Sequence, residues 1–242
     1  MRPILTLSPK SGVPAEWYDP YRDKSTIEFG FRARRFQQIQ RLIEQTLAKK
    51  GKCDILDLGG TESYWLIGEE FIQENRNRLS FTLINSAPQE VRQKDLFSFV
   101  QSSATLPDLL GDRRFDLVHS NSVIEHVGSW HEIEMFASNA RRLGEAYYIQ
   151  TPNYWFPIEP HFRFPGFQYL PEAVRAWLMM RFRLGFFPRM SNLAEAKDQI
   201  YHHRLLSTGE MRRLFPDAEI THEKFFMLKK SIIAVREPAS GQ

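Results

Sequence analysis

Residues 54–65 read DILDLGGTESYW. A short apolar run ends in Asp57 and opens at once into Gly59 and Gly60. Glycines directly after a buried strand let the backbone turn sharply and approach a ligand closely. The stretch therefore reads as a strand entering a ligand-binding turn at the carboxyl edge of an α/β sheet. The glycines stop early, however. A dinucleotide fingerprint would continue as G-x-G-x-x-G, and a P-loop would close in G-K-[ST]. Neither follows, so the expected turn has no pyrophosphate to cradle.

On either side of this stretch, the chain alternates between strand and helix signals. Upstream, Phe36, Ile39, Leu42, Ile43 and Leu47 recur at helical spacing. Lys49, Lys50 and Gly51 supply a helix C-terminus, so a helix over 31–49 is expected behind an irregular arm at 1–25. Downstream, LSFTLIN (79–85), RFDLVHS (114–120) and EAYYIQTP (145–152) read as buried strands. Helices are expected over about 62–75 and over 129–143. Residues 95–100 give a weaker signal, a turn or short helix ahead of an edge strand. Residues 153–205, rich in Pro, Phe and Arg, interrupt the rhythm and read as an insertion. It resumes at Ser207 and Glu210, a capping-box pair, and ends in two tightly joined antiparallel strands, 218–228 and 230–236. Helices after buried strands imply parallel pairing with right-handed crossovers. The expected fold is a single Rossmann-like α/β domain over 1–242. Its seven-stranded sheet is mainly parallel with an antiparallel final strand. Residues 1–50 form an arm and helix, and 153–205 a helical lid on the substrate side.

Composition narrows the setting. The chain has 242 residues, 42% hydrophobic and 25% charged, which suits a globular domain with a sizeable core. Its one cysteine, Cys53, excludes an internal disulfide and a Cys-rich zinc site, and it reads as a small buried hydrophobe. No metal site is assigned. No signal-peptide pattern or membrane-spanning apolar run is seen, so a cytoplasmic location is expected. A net charge of +3 is too mild for a chain coated to bind nucleic acid.

A second motif gives the turn its chemistry. FDLVHSNSVIEHVG (115–128) presents Ser120, Asn121, Ser122, Glu125 and His126 just after a strand. Together, DLGG and FDLVHSNSVIEHV resemble the class I S-adenosylmethionine-dependent methyltransferases, over about 54–152 and the final helix and strands. The resemblance implies S-adenosyl-L-methionine as cofactor. Asp57, Gly59 and Gly60 are then expected at its methionine end, where Asp57 suits the ammonium and backbone N–H groups suit the carboxylate. Asn121 is expected close by. Thr61 stands where many members have another glycine. Asn85 stands where most carry the acid that holds the ribose hydroxyls. Ser103, in SSATLP (102–107), replaces an acid that meets the adenine, with the Ala104 backbone beside it. In the family the Glu-His pair is often architectural. Catalysis at His126 is the alternative. One of Arg32, Arg34 and Arg35 is a candidate for the cofactor's carboxylate.

The segment QTPNYWFPIEPHFRFPGFQYLP (150–171) carries Asn153, Trp155, Glu159 and His161 among prolines and aromatics, a composition suited to the wall of an acceptor pocket. Methyl transfer requires alignment of nucleophile and methyl group. A hydroxyl nucleophile also gains from a base, for which His161 is the candidate. The alternative is that His161 packs a proline-rich loop. T-P-N-x-x-F-P-x-E-P-H is similar to a segment of bacterial methyltransferases tied to sugars or cell-surface glycans. The expected acceptor is a small molecule, a hydroxyl of a sugar, glycolipid or lipid-like compound. Residues 173–194 hold four arginines and no acid among large apolar residues. They read as a substrate lid or dimer helix, or as a patch, centred on 173–190, that touches an anionic membrane surface from inside the cell. Two rival functions remain at this stage. A non-catalytic binding or scaffold protein on the same fold would explain Asn85 and Ser103. An NAD-dependent oxidoreductase lacks its glycine fingerprint here. The sequence leaves the oligomeric state open.

Overall fold

A computed structural model of the chain describes residues 26–238. The irregular arm expected at 1–25 and the last four residues of the tail lie outside them. In chain order the elements are α1 (Ile27–Lys50), β1 (Cys53–Leu58), a 3-10 helix (Glu62–Gly68) running into α2 (Glu69–Glu74), β2 (Leu79–Asn85), β3 (Phe97–Gln101), β4 (Phe115–Asn121), α3 (Trp130–Leu143), β5 (Gly144–Pro152), α4 (Glu172–Arg181), α5 (Leu193–Tyr201), α6 (Thr208–Leu214), β6 (Glu219–Phe225) and β7 (Leu228–Arg236). The strands form one seven-stranded sheet in the order β3-β2-β1-β4-β5-β7-β6. β1 pairs in parallel with β2 and β4, and β2 with β3. β6 and β7 pair antiparallel with an irregularity at Glu223/Lys224. The expected fold class is present.

The chain divides into two compact units. In the first, residues 26–120 and 139–148, α1 lays Phe36, Ile39, Leu42, Ile43 and Leu47 into the core, as its periodicity requires. Thr26 caps the helix through Phe29 N, and Gly51, in the left-handed conformation, closes it. Ile55, Leu56 and Leu58 of β1 and Phe81, Leu83 and Ile84 of β2 are fully buried. Strands covered on both faces are continuously apolar, which makes them easy to read. Cys53 is buried, and burial pushes its thiol up to about 12. It is expected to resist Ellman's reagent in the native chain and react on denaturation; prompt native labelling would contradict that placement.

The second unit comprises residues 121–138 and 149–236. β6 and β7 form its strand pair, and α6 packs on them behind a complete Ser207/Glu210 capping box. The stretch 153–205 has a core of its own. Phe162, Phe167, Met179, Leu184, Phe187 and Ile200 are buried together, with Phe162 stacked on Phe167 and Phe187 at 4.2 and 4.8 Å.

Candidate functional site

The turn after β1 takes a form that local sequence does not reveal. Residues 62–68 are a 3-10 helix, which turns Tyr64 and Trp65 into the core. The Trp65 indole N–H donates to Asp57 Oδ2 at 2.9 Å. His119 Nδ1 lies 2.7 Å from Asp57 Oδ1. A carboxylate only accepts, so Nδ1 carries the proton and Nε2 is left to accept from the Tyr64 hydroxyl at 3.2 Å. Asp57 is 1% exposed, and both its oxygens have buried donors. The expectation that this carboxylate meets a ligand's ammonium is therefore corrected: it anchors the turn from inside. The need for glycine at 60 follows, because a Cβ there would lie 1.8 Å from Asp57 Oδ2. Gly59 turns the chain in the left-handed region, φ +79°, and its N–H donates to Ile84 O at 2.7 Å. Tyr64, Trp65 and His119 were not singled out from the sequence. The aromatic pair seven and eight residues after Asp57 was the available signal.

Asn85 is likewise committed to the turn. Its Nδ2 donates to Gly59 O and Gly60 O at 3.1 and 3.3 Å, and its Oδ1 accepts from Ala87 N. An amide suits this position because it must donate to two carbonyls. Asn85→Asp is expected to destabilise the fold by about 1–3 kcal/mol, measured by denaturant unfolding; an unchanged midpoint would show that the turn does not depend on the amide. Glu62 completes the fastening by accepting from the backbone N–H groups of Arg92 and Gln93. Ser103 bonds to Thr105, and Asn139 donates to Ala104 O at 2.9 Å. What stays accessible along this edge is the half-buried backbone of Gly59, Gly60 and Thr61 and the half-buried Ser102 and Ser103. Exposed glycine backbone fits the carboxylate end of an amino-acid ligand, and the serines fit hydroxyl or amine donors. Among the described residues of this turn, the carboxylates of Asp57 and Glu62 are already engaged by donors.

In the second unit the polar residues gather elsewhere. A 3-10 turn, Ile124–His126, follows β4 and carries Glu125 and His126. Arg204 N donates to Glu125 O at 2.9 Å and ties this turn to the segment after α5. The rings of His126, His161 and His203 pack edge to face, with centroids 4.6–4.9 Å apart. His161 is held from both sides. Glu159, 2% exposed, accepts from His161 Nδ1 at 2.8 Å and from the N–H groups of His161 and Phe162 at 2.7 and 2.5 Å. Gly185, φ +53°, lies so close that a Cβ would meet His161 O at 2.3 Å. His126 and His161, candidates from two separate motifs, lie side by side. His203 is an addition that no local pattern announced.

Charge in this cluster is uneven. Burial, helped by the charge that His161 carries when protonated, holds His126 well below the usual imidazole range and takes His203 to about 4. Burial also lowers His161, but the hydrogen bond and charge of Glu159 with the charge of Glu125 outweigh it, and His161 sits above its usual range. Burial pushes Glu125 up to about 7.

Of the other expected substrate residues, Asn153 is 3% exposed. It bonds to Lys229 O and Trp155 N, so it joins a loop to β7 and has no face for a substrate. Glu159 serves His161 and likewise has none. Trp155 is 66% exposed. With Tyr154, Glu172, Arg175, His203 and Arg204 it lines a cavity of about 540 Å³, within the usual size of a small-molecule site. Asn121 ends β4 in a half-buried position.

No protein-family model matches the chain. Two curated proteins of Mycobacterium tuberculosis, both described as uncharacterized, are 38% identical to it over 60 residues. The match covers 25% of this chain, which spans about 20% of their length. Among solved structures, an O-methyltransferase family protein from Burkholderia thailandensis is 13% identical, with a TM-score of 0.48, over 88% of this chain and 59% of that one. The N-terminal domain of EvdMO1 with SAH bound is 14% identical, with a TM-score of 0.46, over 84% of this chain and 79% of that one. The N-methyltransferase NodS from Bradyrhizobium japonicum is 8% identical, with a TM-score of 0.43, over 84% of this chain and 95% of that one. At these values the likenesses carry no weight in the functional reading, which rests on the residues described above.

Proposed function

We propose that the chain is an S-adenosylmethionine-dependent methyltransferase whose acceptor is a hydroxyl of a sugar or glycolipid. The observation that carries the reading is the turn after β1, an open glycine backbone fastened from behind by Asp57 and Asn85, on the sheet that the motif pair predicts. When bound, the cofactor supplies an electrophilic methyl group on a sulfonium. Backbone N–H groups of Gly60 and Thr61 would hold its carboxylate, and Ser103 would meet its adenosyl end. The cavity of the second unit suits a sugar. Trp155 is exposed and the Tyr169 ring lies 6.0 Å from it at an interplanar angle of 29°, so the C–H face of a sugar ring can pack on an aromatic surface. Glu172, Arg175 and Arg204 offer partners for its hydroxyls. The acceptor proton goes to the histidine cluster, where His161 is the member oriented by a carboxylate.

Calorimetry with S-adenosylmethionine and S-adenosylhomocysteine, followed by transfer of a labelled methyl group into glycan and lipid extracts, tests this. Saturable binding and label in a glycan fraction are expected. Absence of binding by either ligand at millimolar concentration would reject the reading. Binding without transfer to any fraction would favour a non-catalytic role on the same fold.

We further propose that the lid touches anionic membrane. Trp177 and Phe182 are half exposed and packed edge to face at 6.1 Å, with exposed Arg181 and Arg183 beside them. Among the described residues no helix is long and apolar enough to cross a membrane. Cosedimentation with phosphatidylglycerol vesicles, reduced in Trp177→Ser, is expected; equal sedimentation of both proteins would refute the contact.

A further inference from the structure

Three half-buried imidazoles packed ring against ring raise the question of what their nitrogens face. Hydrogen bonding decides the tautomers. His126 Nδ1 lies 2.9 Å from His202 O, and His203 Nδ1 lies 2.7 Å from Gln199 O. His161 Nδ1 lies 2.8 Å from the Glu159 carboxylate. All three partners are acceptors only, so each Nδ1 carries a proton, and in each neutral ring the Nε2 lone pair is the free one. Among the described residues, no hydrogen bond engages those Nε2 atoms. A carboxylate or backbone carbonyl on Nδ1–H is the arrangement that orients a histidine for a metal at Nε2.

Glu125 adds the missing anion. It is 0% exposed, its Oε2 accepts from Thr151 at 2.9 Å, and its Oε1 has no hydrogen-bond partner. His126 Nε2 is 3.9 Å from that oxygen. One ligand atom each from Glu125, His126 and His161 lie within 4.8 Å of one another. An unsatisfied buried carboxylate oxygen is costly, and an ion would satisfy it.

We propose that Glu125, His126 and His161 bind one divalent first-row transition ion, with His203 closing the site. Two imidazoles and a carboxylate form a nitrogen-rich, thiolate-free set that suits zinc, cobalt, manganese or iron and disfavours calcium and magnesium, which take oxygen ligands. Tetrahedral ligands at bond lengths near 2.1 Å sit about 3.4 Å apart, so the three draw together by about 1 Å on loading. The ligands come from the turn after β4 and from the loop 153–166, and Arg204 N pins the former to the segment bearing His203. His203 also lines the 540 Å³ cavity, which places the ion next to the acceptor space. There it would lower the pKa of a hydroxyl. The ion takes the His161 lone pair, so metal loading and free-imidazole catalysis exclude each other. The metal site itself does not depend on the methyltransferase reading.

The test uses the full chain, stripped with chelator and without cofactor. Titration with Co(II) is expected to give one equivalent bound at micromolar or tighter affinity. Visible d–d bands without a thiolate charge-transfer band are expected, because Cys53 is the only thiol. Zn(II) should displace the cobalt. Glu125→Gln and His161→Asn should each weaken binding by more than the about 10–100-fold that loss of a partner behind a ligand costs, while His222→Gln should not change it. No saturable binding of Co(II), Zn(II) or Mn(II) below 1 mM by the folded chain overturns the proposal. So does undiminished binding in folded Glu125→Gln and His161→Asn. Should either variant unfold, the wild-type cobalt spectrum decides: histidine and carboxylate ligation supports the site, and thiolate ligation or no spectrum refutes it. Methyl transfer that fails while cobalt binds counts against the proposed function alone.

Discussion

Asp57→Ala is expected to lower the unfolding free energy by about 2–6 kcal/mol, because two buried donors lose their acceptor at about 1–3 kcal/mol each. The donors are His119 Nδ1–H and the Trp65 indole, at 2.7 and 2.9 Å. The effect reaches further, because His119 also accepts from Tyr64, so one carboxylate holds the 3-10 helix against β1 and β4. For a chain of this length a loss of that size lowers Tm by roughly 5–15 °C. Asp57→Asn should fall between, since its amide oxygen keeps one donor while its NH2 group faces the other. The measurement is urea unfolding of all three proteins, with S-adenosylhomocysteine affinity taken well below the transition. A carboxylate that contacted the ligand would show the reverse pattern, a large loss of affinity with little loss of stability. An Asp57→Ala chain that melts within about 1 °C of wild type would sink the anchoring role.

That reversal shows what sequence can and cannot convey. β1, β2 and β4 were legible because both faces are buried, which leaves continuous apolar runs. β3 was not, because among the described residues it is an edge strand that pairs only with β2, with Ser98 and Gln101 in it. The helix expected over 62–75 is a 3-10 turn followed by a short α-helix. The reason is tertiary: Tyr64 and Trp65 must both reach the core beside Asp57. The site followed the same logic. Asp57, Asn85, Asn153 and Glu159 stand out as polar residues at strand ends and in loops, where ligands are usually held. Each is turned inward to satisfy backbone or side-chain donors, and a one-dimensional pattern does not distinguish the two uses. The histidine cluster had no local spacing to reveal it, since its members come from positions 126, 161 and 203. The tautomers that their acceptors impose leave each neutral ring an Nε2 lone pair, which the proposed metal site puts to a common purpose.

Glu159→Gln addresses that purpose most directly. The carboxylate accepts the His161 Nδ1 proton on one oxygen and two backbone N–H groups on the other. An amide of the same shape has one oxygen and one NH2 group. With the oxygen on the backbone, the NH2 group meets His161 Nδ1, and the ring must adopt the opposite tautomer to accept from it. That tautomer protonates Nε2 and removes the lone pair that a hydroxyl proton or a metal ion requires. With the amide turned around, two buried backbone donors face an NH2 group, so this orientation is the less favourable. The substitution therefore changes His161 without touching its ring. Loss of a carboxylate behind a working histidine typically costs about 10–100-fold. That loss is expected in methyl-transfer kcat and in Co(II) affinity, with S-adenosylhomocysteine binding unchanged because Glu159 has no part in the turn after β1. Nitrogen-15 spectra of the histidine rings supply the readout that a merely structural role would not move. They should report Nε2–H at His161 in the variant and Nδ1–H in the wild-type neutral ring. Full activity and full cobalt affinity with the tautomer unchanged would show that Glu159 only braces the loop.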